Sequence, residues 1–280
     1  MIMTPPPDRN PYDRWMRSVA GVSIVRACLR VGCGGESGSP TAVLGDGEFT
    51  EAERCAIPVR AGTSHAAFVA PGGVVRFFTS AGELPACGHG TVAALAFLAG
   101  RTGRTDHVLR VSGRTFHGRA TDVGEGRFEA AFEPGPITLR STTAAEISEI
   151  SAAVTGAATP DRSGARVATL GRPRLLLPVP DRAALAALRP DLDRLRAATD
   201  AFGLLGCYAF TPPGADGHCA ARMFAPSVGV PEDIANANST ACLAAHLDIP
   251  IKVDMGDSLG SPATISAAPG RVGGLAAVRI

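Results

Sequence analysis

The chain has 280 residues, of which 45% are hydrophobic and 19% charged, and its formal net charge at pH 7 is +1. This length can bury a sizeable core and predicts two domains, whereas the near-neutral charge and the scattered arginines argue against a surface for nucleic acid. No apolar run reaches the roughly 18 to 20 residues that span a bilayer, and the start has no signal-peptide pattern, so we expect a cytoplasmic protein without a membrane partner.

The cysteine pattern indicates neither disulfides nor a metal centre. The seven cysteines form no C-x-x-C pair, and their odd number in a chain without a recognised export signal indicates reduced thiols. His65, Cys87 and His89 could share a metal only if folding brought them together. No Gly-x-Gly-x-x-Gly follows a strand and no Walker motif is present, so we predict a protein without metal, nucleotide or other cofactor.

The first half of the chain is predicted to be an arm followed by short strands. Residues 1–20 are rich in proline and polar side chains, which is typical of a flexible terminus. Glycine and proline then separate a series of runs with β-like patterns. These runs are VSIVRACLRV, AAFVA, VVRFFT, HVLRVSGR and RFEAAFE.

The second half is predicted to begin with helices and to end in strands. Two segments have helical periodicity, TTAAEISEISAAVTG and DRAALAALRPDLDRLRAA, and Asp181 is placed to cap the second. Strand patterns follow in LLGCYAFTP, HCAARMFAP and the closing PATISAAPGRVGGLAAVRI. Many strands with few helices predict an α+β fold.

An internal pseudo-repeat relates the two halves. The stretch RFFTSAGELPACGHGTVAALAFL aligns without a gap on RMFAPSVGVPEDIANANSTACLA, and both read as strand, turn and alanine-rich helix. The alignment superposes Arg76 on Arg222, Phe78 on Phe224, Pro85 on Pro231 and Cys87 on Asp233. Each half would therefore present a polar residue at the N-terminus of a helix.

Two such helix ends facing one cleft would form a site for a small carboxylate. Unpaired N–H groups and the positive end of the helix dipole favour anions, and glycine lets the backbone approach them closely. A thiol there, such as Cys87, would have its pKa lowered and could act as a base. Asp233 on the other half could hold or return a proton, which suits an enzyme that moves protons.

On these residues the chain resembles the phenazine-biosynthesis PhzF-like family, whose members share the fold of diaminopimelate epimerase and proline racemase. The matching pieces lie in the order expected of that family. They are SGSPTAVLGD, TSHAAFV, RFFTSAGELPACGHGT, RMFAPSVGVPEDIANANSTACLAAHL, MGDSLGSPATISA and RVGGLAAVRI.

The resemblance implies two pseudo-symmetric halves, each a β-barrel-like sheet wrapped round a central helix, with the site between them. The N-terminal half would be residues 21–125, completed by a C-terminal strand within 266–280, and the C-terminal half would be 126–265. The resemblance also implies a homodimer.

The chain departs from the family pattern at positions where the family has catalytic residues. The glutamate that acts as general acid and base in the family aligns with His65, whereas the aspartate of the second motif is present as Asp233. Histidine can replace glutamate, because its ordinary pKa of about 6.5 lets it accept and release protons near neutrality. Compared with the racemases, Cys87 matches the first catalytic cysteine, but Asp233 replaces the second.

We therefore predict two sets of site residues. The catalytic set is His65, Asp233, His89 and Cys87. The substrate-binding set is Gly88, Gly90, Thr91, Ala237, Asn238 and Ser239.

The predicted function is that of a cofactor-independent isomerase. It would move a proton and a double bond on a small unsaturated or cyclic imino carboxylate, such as a pyrroline carboxylate in antibiotic biosynthesis. One alternative is an amino-acid epimerase or racemase that uses Cys87 as its base. Because the family's glutamate is missing, a non-catalytic binding protein of the same fold is a second alternative.

Overall fold

The computed structural model describes residues 21–33, 36–156 and 163–279. The predicted N-terminal arm, residues 1–20, lies outside the described residues. Within them the fold is α+β, and each half is a curved sheet wrapped around one buried helix, as predicted.

The first half begins with strands that alternate with helices. In chain order its elements are β1 (Ser23–Ala27), β2 (Ser39–Gly45), α1 (Glu51–Arg60), β3 (His65–Ala70), β4 (Val74–Thr79), β5 (Gly82–Leu84), α2 (Gly88–Thr102), β6 (Asp106–Val111), β7 (Arg114–Gly124) and β8 (Arg127–Phe132). The five strand runs predicted in this region correspond to β1, β3, β4, β6 and β8.

These strands form a closed barrel around α2. From β1 the pairing passes through β2, β3, β4, β6 and β7 to β8. The last strand of the chain, β17 (Arg271–Arg279), pairs with both β8 and β1 and closes the ring. The barrel thus includes β8. This strand lies beyond residue 125, where the family resemblance places the end of the N-terminal half.

The second half repeats this plan around a second helix. Its elements are β9 (Thr138–Ser141), α3 (Ala144–Thr155), β10 (Arg166–Leu170), β11 (Arg172–Pro178), α4 (Arg182–Ala187), α5 (Leu192–Ala201), β12 (Cys207–Phe210), β13 (His218–Ala225), β14 (Val230–Asp233), α6 (Ala237–Leu247), β15 (Ile251–Met255) and β16 (Ala263–Ala268). The sheet runs from β9 through β13, β15 and β16 to β17, and it wraps around α6.

Strand pairing relates the two halves in the way that the pseudo-repeat predicts. In the first half, β2 and β3 are parallel, and Ala66 of β3 lies opposite Phe78 of β4. In the second half, β11 and β12 are parallel, and Cys207 of β12 lies opposite Phe224 of β13. Phe78 and Phe224 are superposed in the sequence alignment, so the repeat holds at the level of strand register.

Small side chains allow α2 to lie inside its barrel. Residues 92–96 of the helix are fully buried, and three of these five are alanine. A Cβ atom at Gly118 of β7 would lie 2.6 Å from a methyl carbon of Leu95, so a larger residue here would force the buried Leu95 side chain to shift. The helix ends where Gly103 adopts the left-handed conformation, with φ 66°.

The predicted helix from Asp181 onward is two helices, and this part of the prediction was wrong. Asp181 does cap α4, its carboxylate accepting a hydrogen bond from Ala184 N at 2.8 Å. The helix then stops before Pro190, and α5 starts after a new cap at Asp191. Proline lacks the N–H of a helix interior and clashes with the preceding turn, which accounts for the break.

Candidate active site

A cavity of about 740 Å³ lies between the two halves of the fold. Its wall includes the start of β3, the residues that begin α2, the end of β14 and the residues that begin α6. The polar residues of this part of the wall are His65, Cys87, His89, Asp233, Asn236 and Asn238.

The two central helices meet at their N-termini beside this cavity. A Cβ atom on Gly88 would lie 2.8 Å from Cβ of Ala237 and 2.9 Å from the backbone N of Asn238. Glycine is therefore required at this position for the two helix ends to approach. The arrangement brings the first-turn amides of both helices to one place, as a carboxylate site requires.

The strand β3 places His65 on the face of the sheet that points toward α2. His65 is the register partner of Thr41 in the parallel ladder, and its side chain is 5% exposed. Its Nδ1 atom lies 2.8 Å from the Ser64 hydroxyl and 3.1 Å from Nε2 of His89. His65 is thus almost buried, contacts a second imidazole and lines the cavity.

His89 links His65 to Cys87. The Ala235 carbonyl can only accept, so Nδ1 of His89 carries a hydrogen and donates it to that oxygen at 2.8 Å. This contact fixes the ring, which leaves Nε2 to face both His65 and the Cys87 sulfur, the latter at 3.5 Å. Because Ala235 precedes α6, the contact also ties the two halves together at the site.

The two imidazoles have opposite pKa shifts. Burial and the adjacent His89 charge lower the pKa of His65 to about 2, so its ring is neutral at ordinary pH. Burial also disfavours charge on His89, but Cys87, Asp233 and the Ala235 carbonyl outweigh it and raise the pKa of His89 to about 9. The pair therefore carries one positive charge, which lies on His89.

Asp233 lies at the end of β14, and its side chain is held by the loop that leads into α6. The Asn236 side-chain amide donates to one carboxylate oxygen at 3.0 Å, and Ala235 N donates to the other at 3.4 Å. Desolvation raises the pKa of Asp233, although His89 and these hydrogen bonds oppose the shift. Asp233 thus lines the cavity beside the imidazole pair.

The six residues predicted to bind substrate differ in whether they line the cavity or lie behind its wall. Gly88 and Asn238 line the cavity, whereas the other four are not among its lining residues. The Thr91 hydroxyl donates to the Cys87 carbonyl at 2.8 Å, and a Cβ atom at Gly90 would lie 2.8 Å from Phe77. Ser239 contacts Arg174, and Ala237 packs under Gly88.

The helix starts do not coincide with the residues that the sequence alignment paired. Cys87 is the N-cap of α2, but the N-cap of α6 is Asn236, three residues beyond Asp233. The structural counterpart of Cys87 is therefore Asn236, and the alignment loses register between strand and helix. Asn236 caps α6 by accepting a hydrogen bond from Ser239 N at 2.9 Å.

Three arginines of the cavity wall were missed in the sequence. They are Arg114 at the start of β7, Arg172 at the start of β11, and Arg174, whose side chain is 2% exposed. Arginines in a strand-like run are a weak signal, because exposed strand faces often carry them. The contrast of RPR with the apolar LLLP that follows was the one available hint.

The cluster of His65, Cys87 and His89 could also accommodate a metal ion. One potential ligand atom from each residue lies within 4.8 Å of the other two, and all three side chains are buried. Two nitrogens and a sulfur are donors that zinc accepts. The same atoms form the hydrogen-bonded chain described above, which requires no metal.

Comparison with known proteins identifies relatives over most of the chain. The family model for phenazine biosynthesis-like protein (PhzC-PhzF) matches residues 36–270. A protein of Deinococcus radiodurans named as an uncharacterized isomerase is 30% identical over 212 residues, which cover 69% of this chain and 68% of that protein.

Solved structures show the same fold. A predicted epimerase from Pseudomonas aeruginosa has a TM-score of 0.77 and 25% identity, covering 93% of this chain and 97% of its own. A probable proline racemase from Agrobacterium radiobacter, solved with bound carbonate, has a TM-score of 0.53 at 11% identity, covering 92% and 88%. The second likeness is one of fold alone.

Proposed function

Because this chain belongs to the phenazine biosynthesis-like protein family, which contains proteins named isomerases, we propose that it is a cofactor-independent isomerase. It moves a proton, and with it a double bond, between carbons of a small unsaturated or cyclic imino carboxylate. The observation that carries this proposal is the 3.1 Å approach of the His65 and His89 imidazoles on the wall of a cavity that Asp233 also lines.

His65 is the proposed base that contacts the substrate. Its ring is neutral, and in the tautomer whose Nδ1–H donates to the Ser64 hydroxyl, Nε2 is free to take a proton from a substrate carbon and return it to a neighbouring carbon, so the enzyme ends each cycle unchanged. The low pKa makes removal of the proton the demanding step and its return easy. The substrate C–H must therefore be activated by conjugation or by an imine, and a bound carboxylate would raise the pKa of His65 toward a useful value.

The N-terminus of α2 is the proposed seat of the substrate carboxylate. The Cys87 side chain makes no capping hydrogen bond, so within the described part of the chain the N-cap residue leaves the first-turn amides of α2 available. Gly88 exposes this backbone to the cavity, and Asn238 of the facing helix lies next to it. His89 would place its positive charge next to the substrate carboxylate, and Asp233 would help to position the substrate.

Cys87 supports a second candidate, an epimerase that uses this thiol. Cys87 lines the cavity at a helix N-terminus, and its sulfur lies 3.5 Å from Nε2 of His89. Asn236 is its counterpart on the other half, so a second thiol does not face it. Asp233 or His65 would have to serve as the opposing acid.

Deuterium labelling separates these functions. Purified protein is incubated in deuterated water with pyrroline carboxylates, proline and simple unsaturated acids, and each product is examined by NMR. The isomerase places deuterium on a new carbon and shifts the ultraviolet absorbance. An epimerase labels the original stereocentre, and a binding protein labels none. Label only at the stereocentre would refute the isomerase and favour the Cys87 epimerase.

Three further properties belong to this proposal. We propose that the enzyme acts in the cytoplasm as a homodimer, and that its substrate is a pyrroline carboxylate of antibiotic biosynthesis. The resemblance of the motifs around Cys87 and Asp233 to the family supports the first two, and the need for an imine-activated C–H supports the third. Among the described residues, no helix has the length and apolarity to cross a membrane.

A further inference from the structure

The cavity is larger than the proposed chemistry requires. Its volume of about 740 Å³ falls within the range of about 300 to 1,000 Å³ that is typical of pockets for drug-sized ligands. A five-membered ring with one carboxylate would leave most of this space empty. The rest of the wall should therefore indicate what else the substrate carries.

Arginines dominate the charge on the remaining wall. Arg114, Arg172 and Arg174 surround the turn between β10 and β11, where a Cβ atom on Gly171 would lie 4.0 Å from the Arg114 guanidinium. Within residues 21–33, 36–156 and 163–279, none of the three forms an ion pair with a carboxylate. Glu83, the one glutamate that the described residues contribute to the cavity wall, is paired with Arg76 at 2.5 Å.

Arg174 is buried, and the described residues provide it with no counterion. One terminal nitrogen donates to the carbonyls of Leu170 and Arg172 at 2.8 and 2.6 Å, and the other donates to the Ser239 hydroxyl at 3.3 Å. Among the described residues its Nε atom has no hydrogen-bond partner. A buried charge that has neither a countercharge nor a full set of hydrogen bonds is destabilising, and a bound anion would compensate for it.

We propose that this arginine cluster, Arg114, Arg172 and Arg174, binds a second anionic group of the substrate. This inference rests on the proposed function, in which the first carboxylate binds at the start of α2. The substrate is then a diacid: one carboxylate lies beside His65, and a further carboxylate or phosphate lies against Arg172 and Arg114. Arg174 donates to carbonyls of the turn between β10 and β11 and adds its positive charge from the buried side of the cluster.

Binding of simple acids tests this proposal without the true substrate. Calorimetry compares α,ω-dicarboxylates from succinate to suberate with monocarboxylates of the same chain length, and includes 3-phosphonopropionate and inorganic phosphate. We expect the best diacid to bind at least about tenfold more tightly than its monoacid, as one added charge-assisted contact provides. A phosphonate that exceeds every dicarboxylate identifies phosphate as the second group, and the reverse identifies a carboxylate.

Substitutions in the arginine cluster test whether it is the site of the second anion. Arg172→Gln and Arg114→Gln should reduce the diacid preference to about twofold or less while monoacid affinity stays unchanged. The exposed Arg196 on α5 does not line the cavity, and Arg196→Gln should keep the full preference. Both variants leave the buried Arg174 in place, and unfolding curves check that Arg114→Gln, which loses contacts with the Pro134 carbonyl and the Phe116 ring, is folded.

Other outcomes would overturn the inference. Equal affinity for monoacids and diacids, or a preference that survives both cluster variants, means that the arginines bind no second anion. Loss of monoacid affinity in Arg172→Gln means that they hold the single carboxylate instead. Neither result bears on proton transfer, because the deuterium assay can still show an isomerase whose substrate has one acidic group.

Discussion

At the scale of single residues, the contact of His65 with His89 determines which of the two imidazoles is charged. A lone histidine would titrate near pH 6.5, and this expectation made His65 attractive as a base. The structure instead places His65 against His89, and the pair carries one positive charge, on the ring that is tied to the Ala235 carbonyl. In the proposed mechanism His65 therefore acts from the neutral state, with the positive charge of His89 beside it.

The proton distribution in this pair can be measured directly. In ¹⁵N-histidine NMR, His89 should remain doubly protonated up to about pH 9, and His65 should stay neutral down to low pH. His65→Gln and His89→Asn assign the signals. Two rings that both titrate near pH 6.5 would contradict the assignment.

The raised pKa of His89 also predicts a stability difference that depends on pH. Because its folded-state pKa lies above its unfolded value, protonation of His89 stabilises the fold fully below about pH 6.5, and this contribution disappears as the pH rises through about 9. Denaturant unfolding of the wild type and His89→Asn should therefore differ more at pH 6 than at pH 10. A stability difference between wild type and His89→Asn that grows with pH would show that protonation of His89 does not stabilise the fold.

At the scale of elements, the two central helices are positioned by different caps. The α2 helix starts at Cys87 without a side-chain cap, whereas Asn236 caps α6 and also holds Asp233 through its amide. One helix end is thereby left open for an anion, while the other fixes an acid. The asymmetry means that the two halves, although similar in fold, have different roles in the site.

Removal of the cap at Asn236 should separate stability from activity. Asn236→Ala removes the hydrogen bond to Ser239 N and the one to Asp233, and should cost about 1 kcal/mol of stability and at least about tenfold in turnover. Asp191→Ala removes a comparable cap from α5, outside the cavity wall, and should cost similar stability but no turnover. Equal turnover in both variants would contradict a role for Asp233.

The close approach of the helices depends on Gly88. Gly88→Ala places a methyl group 2.8 Å from the Ala237 side chain and should destabilise the protein by about 1 to 3 kcal/mol while weakening carboxylate binding. Gly45→Ala is the matched control, because nothing lies within 4 Å of its Cβ position. Unfolding curves and calorimetry with a monocarboxylate measure both effects. Unchanged binding in a folded Gly88→Ala protein would refute the proposed carboxylate seat.

At the scale of the whole molecule, sequence patterns predicted the architecture better than the wall of the site. Strand runs and the Asp181 cap are local signals, and the structure confirms them. The pseudo-repeat holds for the strands but loses register at the helix starts. The helix α1 escaped notice because Pro58 lies inside it, although Thr50 and Glu53 form a capping box. The place of Arg174 in the site could not be predicted from the sequence, since only the fold shows that its side chain is buried without a countercharge from the described residues.

Cofactor independence is a property of the whole protein and can be tested on it. After extensive dialysis against EDTA, the protein should contain no stoichiometric zinc and should keep its full rate of deuterium incorporation, because the hydrogen-bonded chain from Cys87 to His65 needs no ion. Activity that is lost on chelation and restored by zinc would instead make His65, Cys87 and His89 ligands.

The central claim is that His65 exchanges the proton with the substrate. The most direct measurement is the rate of deuterium incorporation from solvent into the new carbon of the substrate, compared between His65→Ala and Cys87→Ala. The account predicts a loss of at least about a hundredfold in His65→Ala, as is typical when a general base is removed, and a much smaller loss in Cys87→Ala. Full turnover in His65→Ala together with an inactive Cys87→Ala would contradict it and make the thiol the base.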